Sequence, residues 1–333
     1  MSLNGLEIMS RVSELKAEQE QLRQSIHSLK ETLELNARNL TFLENDFKHY
    51  AAREQQDSTG LLENESESTS SKVNPLSQQL INWSKGINYE IDFWDRWFAE
   101  KGGEWSEDFK ARLRNDTIFS HAAVDKLDID NPKILDVGAG PMTNLGKIYR
   151  NTPVDLTAVD PLAEIYSNIA KKYNVERPVV TKQGFAEDLT AIFRTNSFNV
   201  VCCTNALDHS FDPLRGLEEM LLVCCVGGVV ILEHRANEAE IEGYSGFHQW
   251  NFDADEKGHF IIWKPGQRYD ATKHFEHIAS INAQRNGDWL RVTASKIATH
   301  DIDLLNRSRS RLQQVLSATV ETLAFISHRH TEA

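Results

Sequence analysis

The chain has 333 residues, 40% hydrophobic and 26% charged, which is enough for one sizeable α/β core plus additional segments. Its formal net charge of −13 sets the average field against DNA or RNA, so no nucleic-acid partner is expected. No apolar run is long enough to form a transmembrane segment, and "MSLNGLEIMS" at the start has no apolar signal core, which points to a cytoplasmic location.

Residues 1–55 carry a heptad. Val12, Gln19, Ile26, Leu33, Leu40 and Phe47 fall on one seam position. Ile8, Leu15, Leu22, Leu29, Asn36, Leu43 and Tyr50 fall on the other. Alternating steps of three and four, with Glu, Lys, Arg and Gln between, predict a coiled-coil oligomerisation helix. Leucines at most second positions lean towards a parallel homodimer, with a homotrimer as the alternative. Residues 56–77 are rich in Ser, Glu, Thr and Asn and read as a flexible linker. Residues 78–117 form an aromatic-rich lead-in with Trp83, Trp94, Trp97 and Trp105, predicted as two helices broken near Gly102-Gly103.

Residues 118–300 alternate strand and helix. "KILDVGA", "DLTAVD", "RPVVTKQG", "FNVVCCTNA" and "GGVVILEHRA" read as strands, with "HFIIW" and "WLRVTASKI" as later ones. Helices are expected between them, for example "PLRGLEEMLLVCC". Continuous apolar strands with helical crossovers predict a doubly wound, mostly parallel sheet covered on both faces. Cys202-Cys203 and Cys224-Cys225 are vicinal pairs inside apolar runs; they lack zinc-site spacing and read as buried thiols. Residues 301–333 read as a closing C-terminal helix.

Ligands of open parallel sheets bind at the carboxyl ends of the strands. The first loop, "DVGAGPMT", has neither the third glycine of a dinucleotide fingerprint nor the lysine of a phosphate loop. What remains is Asp136, Gly138 and Gly140, then Asp160 at the end of the second strand, whose carboxylate suits two ribose hydroxyls. In "QGFAEDL" the Ala186 backbone and the Glu187 or Asp188 side chain could read an adenine edge. Together they describe a site for adenosine without a pyrophosphate.

This set resembles the class I S-adenosylmethionine-dependent methyltransferases, over roughly residues 118–298. Asp136, Gly138, Ala139 and Gly140 match the first motif, Asp160 with Pro161 the ribose-binding position, and Ala186-Glu187 the adenine segment, where Phe185 replaces a common acid. Asn205 falls near the methionine part, and Val226 stands where proline is usual. Met142 replaces the third glycine and is expected to pack against the sheet. The resemblance implies a seven-stranded Rossmann-like sheet with S-adenosylmethionine as cofactor.

Methyl transfer to oxygen is an in-line displacement that needs alignment and proton removal. Candidate bases follow the strand ends: His209 first, then His248, with Asp208 and His234 beside them. His121, His274 and His277 read as surface or structural residues. No metal motif is evident; Asp208, Glu233 and Glu240 or Glu242 could hold Mg²⁺ as a lesser option. "EGYSGFHQWNF" and "GINYEIDFWDRWF" also resemble segments of methyltransferases of bacterial polysaccharide and glycan biosynthesis. That resemblance implies a saccharide acceptor, with Trp94, Trp97, Trp250 and Tyr244 as stacking surfaces. It further suggests a chain-end cap; from architecture alone, the coil is expected to act as a spacer or as a dock to a glycosyltransferase partner, which would place the protein peripheral to the inner membrane. A small-molecule methyltransferase of secondary metabolism, or a non-catalytic scaffold, would share the same core.

Overall fold

The computed structural model describes residues 75–299 and the isolated helical positions 312, 313 and 316. The predicted coiled coil, most of the linker and all but those three positions of the closing helix lie outside the described residues.

Helix α1, Pro75–Ala99, opens on a proline suited to a first helical turn, just inside the segment read as linker. It ends where the chain turns left-handed at Lys101 and Gly102, the amide of Gly102 closing on the Trp97 carbonyl at 2.8 Å. Helix α2, Ser106–Arg112, follows, so the expected break falls where the glycines stand. Trp97 and Phe98 of α1 pack against Phe109 of α2 and against Met142, Leu162 and Tyr166. Each buried ring contributes roughly 1.5–3 kcal/mol by apolar burial. Met142 therefore fills a gap beneath the helical lead-in rather than against the sheet. A short helix α3, Ala122–Asp125, is capped by the His121 ring, which accepts from the Ala123 amide at 3.2 Å.

The main sheet has seven strands: β1 Lys133–Val137, β4 Asp155–Asp160, β5 Lys182–Gln183, β6 Phe198–Thr204, β7 Cys224–Arg235, β11 Ala279–Asn286 and β12 Trp289–Lys296. Their order is β11-β12-β7-β6-β1-β4-β5. The strands from β5 to β7 run parallel; β12 is antiparallel to both neighbours. This is a Rossmann-like, mostly parallel sheet. Alternate residues of β6 serve opposite cores: Val201 and Cys203 face one side, Val200 and Cys202 the other. Helices α4, Ala163–Lys172, and α5, Pro213–Val223, are crossovers after β4 and β6. Asp212 caps α5 by accepting from the Arg215 amide, with Pro213 at its first turn.

Three expectations are corrected. Between β1 and β4 there is no helix. The chain forms a hairpin of β2, Ile148–Tyr149, and β3, Thr152–Pro153, turned by Arg150 and Asn151, both at positive φ. Pro141 and Gly146 discourage a helix there, and Ile148 bridges to Ile118. The segment "HFIIW" belongs to a separate three-stranded antiparallel sheet of β8 Asn251–Ala254, β9 Phe260–Lys264 and β10 Gln267–Asp270; the seventh main strand is β11. Of "RPVVTKQG", only Lys182 and Gln183 pair as a strand.

Candidate active site

The first strand-end loop is held from three sides. The amides of Gly138 and Ala139 both donate to the Val159 carbonyl, at 2.9 and 3.1 Å. At Gly138 φ is +71°, and a Cβ would lie 2.4 Å from the Cβ of Ala206 in the loop after β6. Glycine there lets the two loops touch. The Gly140 amide donates to Asp160 Oδ2 at 3.1 Å and the Leu162 amide to Oδ1 at 2.8 Å. Each carboxylate oxygen keeps a further lone pair for a hydroxyl donor. Burial pushes the Asp160 carboxyl up to about 7 against these amides. Asp136 is likewise pushed up to about 6 by burial, although Thr143 donates its hydroxyl at 2.6 Å. Trp94 of α1 lies over Gly140, and its indole N–H donates to Glu90 at 2.7 Å.

The second group comes from separate segments. A 3-10 turn, Leu207–His209, follows β6; α6, Glu238–Ile241, follows β7; His248 lies between α6 and β8. Asp208 is buried, at 2% exposure. Its Oδ2 lies 3.2 Å from His248 Nδ1 and 3.5 Å from His209 Nε2, and those two nitrogens are 3.1 Å apart. Its Oδ1 lies 3.6 Å from Nδ1 of the fully buried His234. Burial alone would push the Asp208 carboxyl up; the surrounding imidazoles, His209 foremost, hold it well below the usual carboxylate range. Burial works against a charged His248, yet Asp208 raises its pKa above the ordinary imidazole value. Helix α1 sets the position of His248. Gly86 leaves room for Phe247, whose ring a Cβ would meet at 2.2 Å, and Trp83 stacks on the same ring at 5.3 Å.

Both groups face one cavity of about 620 Å³. Asp136, Gly138, Ala139, Gly140, Asp160, Pro161, Ala186, Glu187 and Asn205 line one part; His209 and His248 line the other. Asp208 and His234 sit behind the two histidines. The Glu187 carboxylate also holds the loop before α5: its Oε1 accepts from the amides of Phe211 at 2.8 Å and Asp212 at 3.2 Å. Asn205 Oδ1 accepts from the Arg235 amide at 3.0 Å and ties the ends of β6 and β7 together.

Other expectations fare differently. Trp97 and Trp250 are core residues, at 5% and 2% exposure, and offer no ring to a sugar. Tyr244 accepts from Asn251 Nδ2 at 3.0 Å and does not line the cavity, whereas Trp94 does. The oxygen set for Mg²⁺ does not assemble: Glu233 pairs with Arg291 across β7 and β12 at 2.6 Å, and Glu240 faces solvent. Sequence reading missed Glu238, Arg235 and Trp289, which also line the cavity. Their signal was position: Arg235 and Glu238 follow the carboxyl end of a parallel strand. Glu238 is 8% exposed and its Oε2 has no hydrogen-bond partner.

Residues 135–232 match the family model of a methyltransferase domain. A curated relative from Oryza sativa subsp. japonica, named 2-methyl-6-phytyl-1,4-hydroquinone methyltransferase 2, chloroplastic, is 29% identical over 133 residues. That match covers 39% of this chain and 34% of the relative, so the chain spans about a third of its length. Among solved structures, a SAM-dependent methyltransferase from Methanosarcina mazei is 16% identical over 54% of this chain and 99% of its own, with a TM-score of 0.33. The YcgJ protein of Bacillus subtilis is 17% identical over 53% and 96%, with a TM-score of 0.30. The strand order and the family match agree: residues 135–232 carry a methyltransferase domain on a Rossmann-like sheet, and its glycine loop over Asp160 suits S-adenosylmethionine.

Proposed function

We propose that the protein is an O-methyltransferase whose acceptor is a sugar hydroxyl, as on a bacterial glycan or polysaccharide end. The observation that carries this is the single cavity in which the Asp160 loop and the His209–His248 pair face each other. When bound, S-adenosylmethionine supplies an electrophilic methyl on a sulfonium, whose departure leaves a neutral thioether. Asp160 would accept the ribose hydroxyls, Gly138 and Gly140 would let the backbone approach, and the Phe185 ring and Ala186 backbone would border the base. At the other end His209, backed by Asp208, would take the acceptor proton, with His248 as its partner. Arg235, Glu238 and Glu242 give that end several polar groups for a hydroxylated ring. Tyr89 and Trp289, 56% and 53% exposed, offer flat faces at its rim. The heptad in residues 1–55 would join two or three copies and provide a dock for a glycosyltransferase.

A second reading is a small phenolic acceptor. The relative's name concerns a hydroquinone, and Trp83, Phe185 and Phe247 form an apolar side of the same cavity. Calorimetry with S-adenosylmethionine and S-adenosylhomocysteine on wild type and Asp160→Ala tests the cofactor site. Micromolar binding, lost in the variant, is expected; no binding would leave a non-catalytic scaffold. Methyl transfer to saccharides but not to hydroquinones, followed by mass spectrometry, decides between the acceptors.

A further inference from the structure

Three polar atoms at the acceptor end form a triangle, not a chain. Asp208 Oδ2, His209 Nε2 and His248 Nδ1 are separated by 3.1, 3.2 and 3.5 Å. A neutral imidazole carries one N–H. If His248 Nδ1 donates to Asp208, it cannot also accept from His209; if it accepts, its contact with Asp208 has no proton. A hydrogen-bond relay thus leaves one close contact unexplained. A metal ion explains all three at once. Bonds of about 2.0–2.1 Å in tetrahedral geometry place neighbouring ligand atoms roughly 3.3–3.4 Å apart. The observed sides bracket that value.

We propose that Asp208, His209 and His248 bind a divalent transition-metal ion of the Zn²⁺ class at the acceptor end of the cavity. Two imidazole nitrogens with one carboxylate oxygen suit zinc and its neighbours far better than Mg²⁺, which prefers oxygen. The surroundings supply a second, independent observation. Asp208 Oδ1 and both ring nitrogens of His234 are buried without hydrogen-bond partners, and Oδ1 lies 3.6 Å from His234 Nδ1. An ion on Oδ2 fixes the carboxylate so that Oδ1 faces that ring, the usual support behind a ligating carboxylate. Glu238 also lines the cavity, and its Oε2 is buried without a hydrogen-bond partner. His209 and His248 line the cavity, so the ion would keep an open face towards it. With the ion bound, His209 and His248 would serve as ligands instead of taking the proton; an acceptor hydroxyl on the open face becomes more acidic, its proton leaves to water, and the oxygen then takes the methyl. That role rests on the methyltransferase reading; the binding site itself does not.

The test uses full-length protein stripped with a chelator and dialysed. Zinc binding is followed by calorimetry, and Co²⁺ binding by visible absorption. Wild type is expected to take one Zn²⁺ per chain at micromolar Kd or tighter, and to give Co²⁺ ligand-field bands. His209→Ala and His248→Ala should each weaken Zn²⁺ by ~100-fold or more and abolish the bands. His259→Ala should change nothing, although that imidazole contacts Asp255 and Asp270. Far-UV circular dichroism confirms that each variant is folded, and His209→Gln replaces a variant that is not. Wild-type binding no tighter than that of the His209→Ala/His248→Ala double variant overturns the site. S-adenosylhomocysteine binding is read in the same samples. Its presence without discriminating zinc binding sinks the metal site alone; its absence beside tight zinc binding sinks the methyltransferase reading alone.

Discussion

The two ends of the cavity are built differently. The cofactor end is made of neighbours in the sheet: β1 and β4 pair with Asp136 opposite Ala158 and Val137 opposite Val159, so the register of two strands places Gly138 beside Asp160. Its hydrogen bonds run mostly from backbone amides to a carbonyl and one carboxylate. The acceptor end gathers side chains from four segments, at 208–209, 234, 238 and 248, and depends on α1 packing against Phe247. Backbone geometry fixes the first end, and tertiary docking fixes the second. The two should therefore fail separately.

The largest effect is expected where only the acceptor end is broken. His209→Ala should lower kcat for methyl transfer ~10²–10⁴-fold, the usual worth of a positioned acid–base group and a loss also expected where the imidazole holds the ion. Cofactor affinity should stay within about threefold of wild type. A parallel loss of S-adenosylhomocysteine binding would show that the two ends are one unit. Gly138→Ala breaks the junction between them. Its Cβ meets Ala206 at 2.4 Å with φ at +71°. Overpacking and left-handed strain predict roughly 2–4 kcal/mol of lost stability in urea, together with lost cofactor affinity. Adding Ala206→Gly should recover the overpacking part and leave about 1–2 kcal/mol of backbone strain.

The same contrast explains what the sequence reveals. The strands β1, β4, β6, β7 and β12 stand out as local apolar runs, and the glycine loop with Asp160 lies within about one strand-loop-strand unit. Local pattern is enough there because sheet pairing does the rest. The hairpin after β1 was hidden because a parallel crossover is ordinarily helical. The sheet of β8, β9 and β10 was hidden because "HFIIW" is apolar in either sheet; only its pairing with Phe252 and Tyr269 separates them. His209 and His248 were legible as candidates after strand ends. Their meeting on one oxygen of Asp208 was not, since it spans 40 residues of chain and needs α1 in place. Glu187 is the converse case: it stands at the expected position in "GFAEDL" and lines the cavity, while its Oε1 accepts from the amides at 211 and 212.

A smaller effect sharpens the cofactor end. Asp160→Asn should weaken binding of 5′-methylthioadenosine, which keeps the ribose and lacks the amino acid, by ~10-fold to 30-fold at pH 8, the worth of hydrogen bonds to a charged acceptor. The pH dependence carries the sign. Ribose hydroxyls donate to the ionised carboxylate, and burial holds Asp160 at about 7 in the free protein. Wild-type affinity should thus rise with pH through about 7 and level off above it, at most about tenfold per pH unit. Asp160→Asn should be flat. Stability runs the other way. A carboxyl whose folded pKa is raised stabilises the fold below its unfolded value of about 4 and loses that contribution as pH rises through its folded value. Asp136 at about 6 and Glu187 at about 7 share this sign. The Tm of ligand-free protein should fall between pH 5 and pH 8, less steeply in Asp160→Asn.

Glu187→Gln should have the smallest effect, and it separates position from role. The amides of Phe211 and Asp212 need an acceptor at Oε1, and a carboxamide oxygen supplies one. Burial is the chief reason the carboxyl is pushed up to about 7, so above that pH the native protein carries a buried negative charge that glutamine removes. Stability should therefore rise by about 1 kcal/mol or more at pH 8, and the two proteins should unfold alike only towards about pH 4, where the carboxyl is protonated in both the folded and the unfolded chain. Cofactor affinity should change by less than about threefold if the carboxylate serves only the loop before α5. A tenfold loss of affinity with unchanged stability would return Glu187 to the adenine. It would also mean that the amides at 211 and 212 are incidental to its placement.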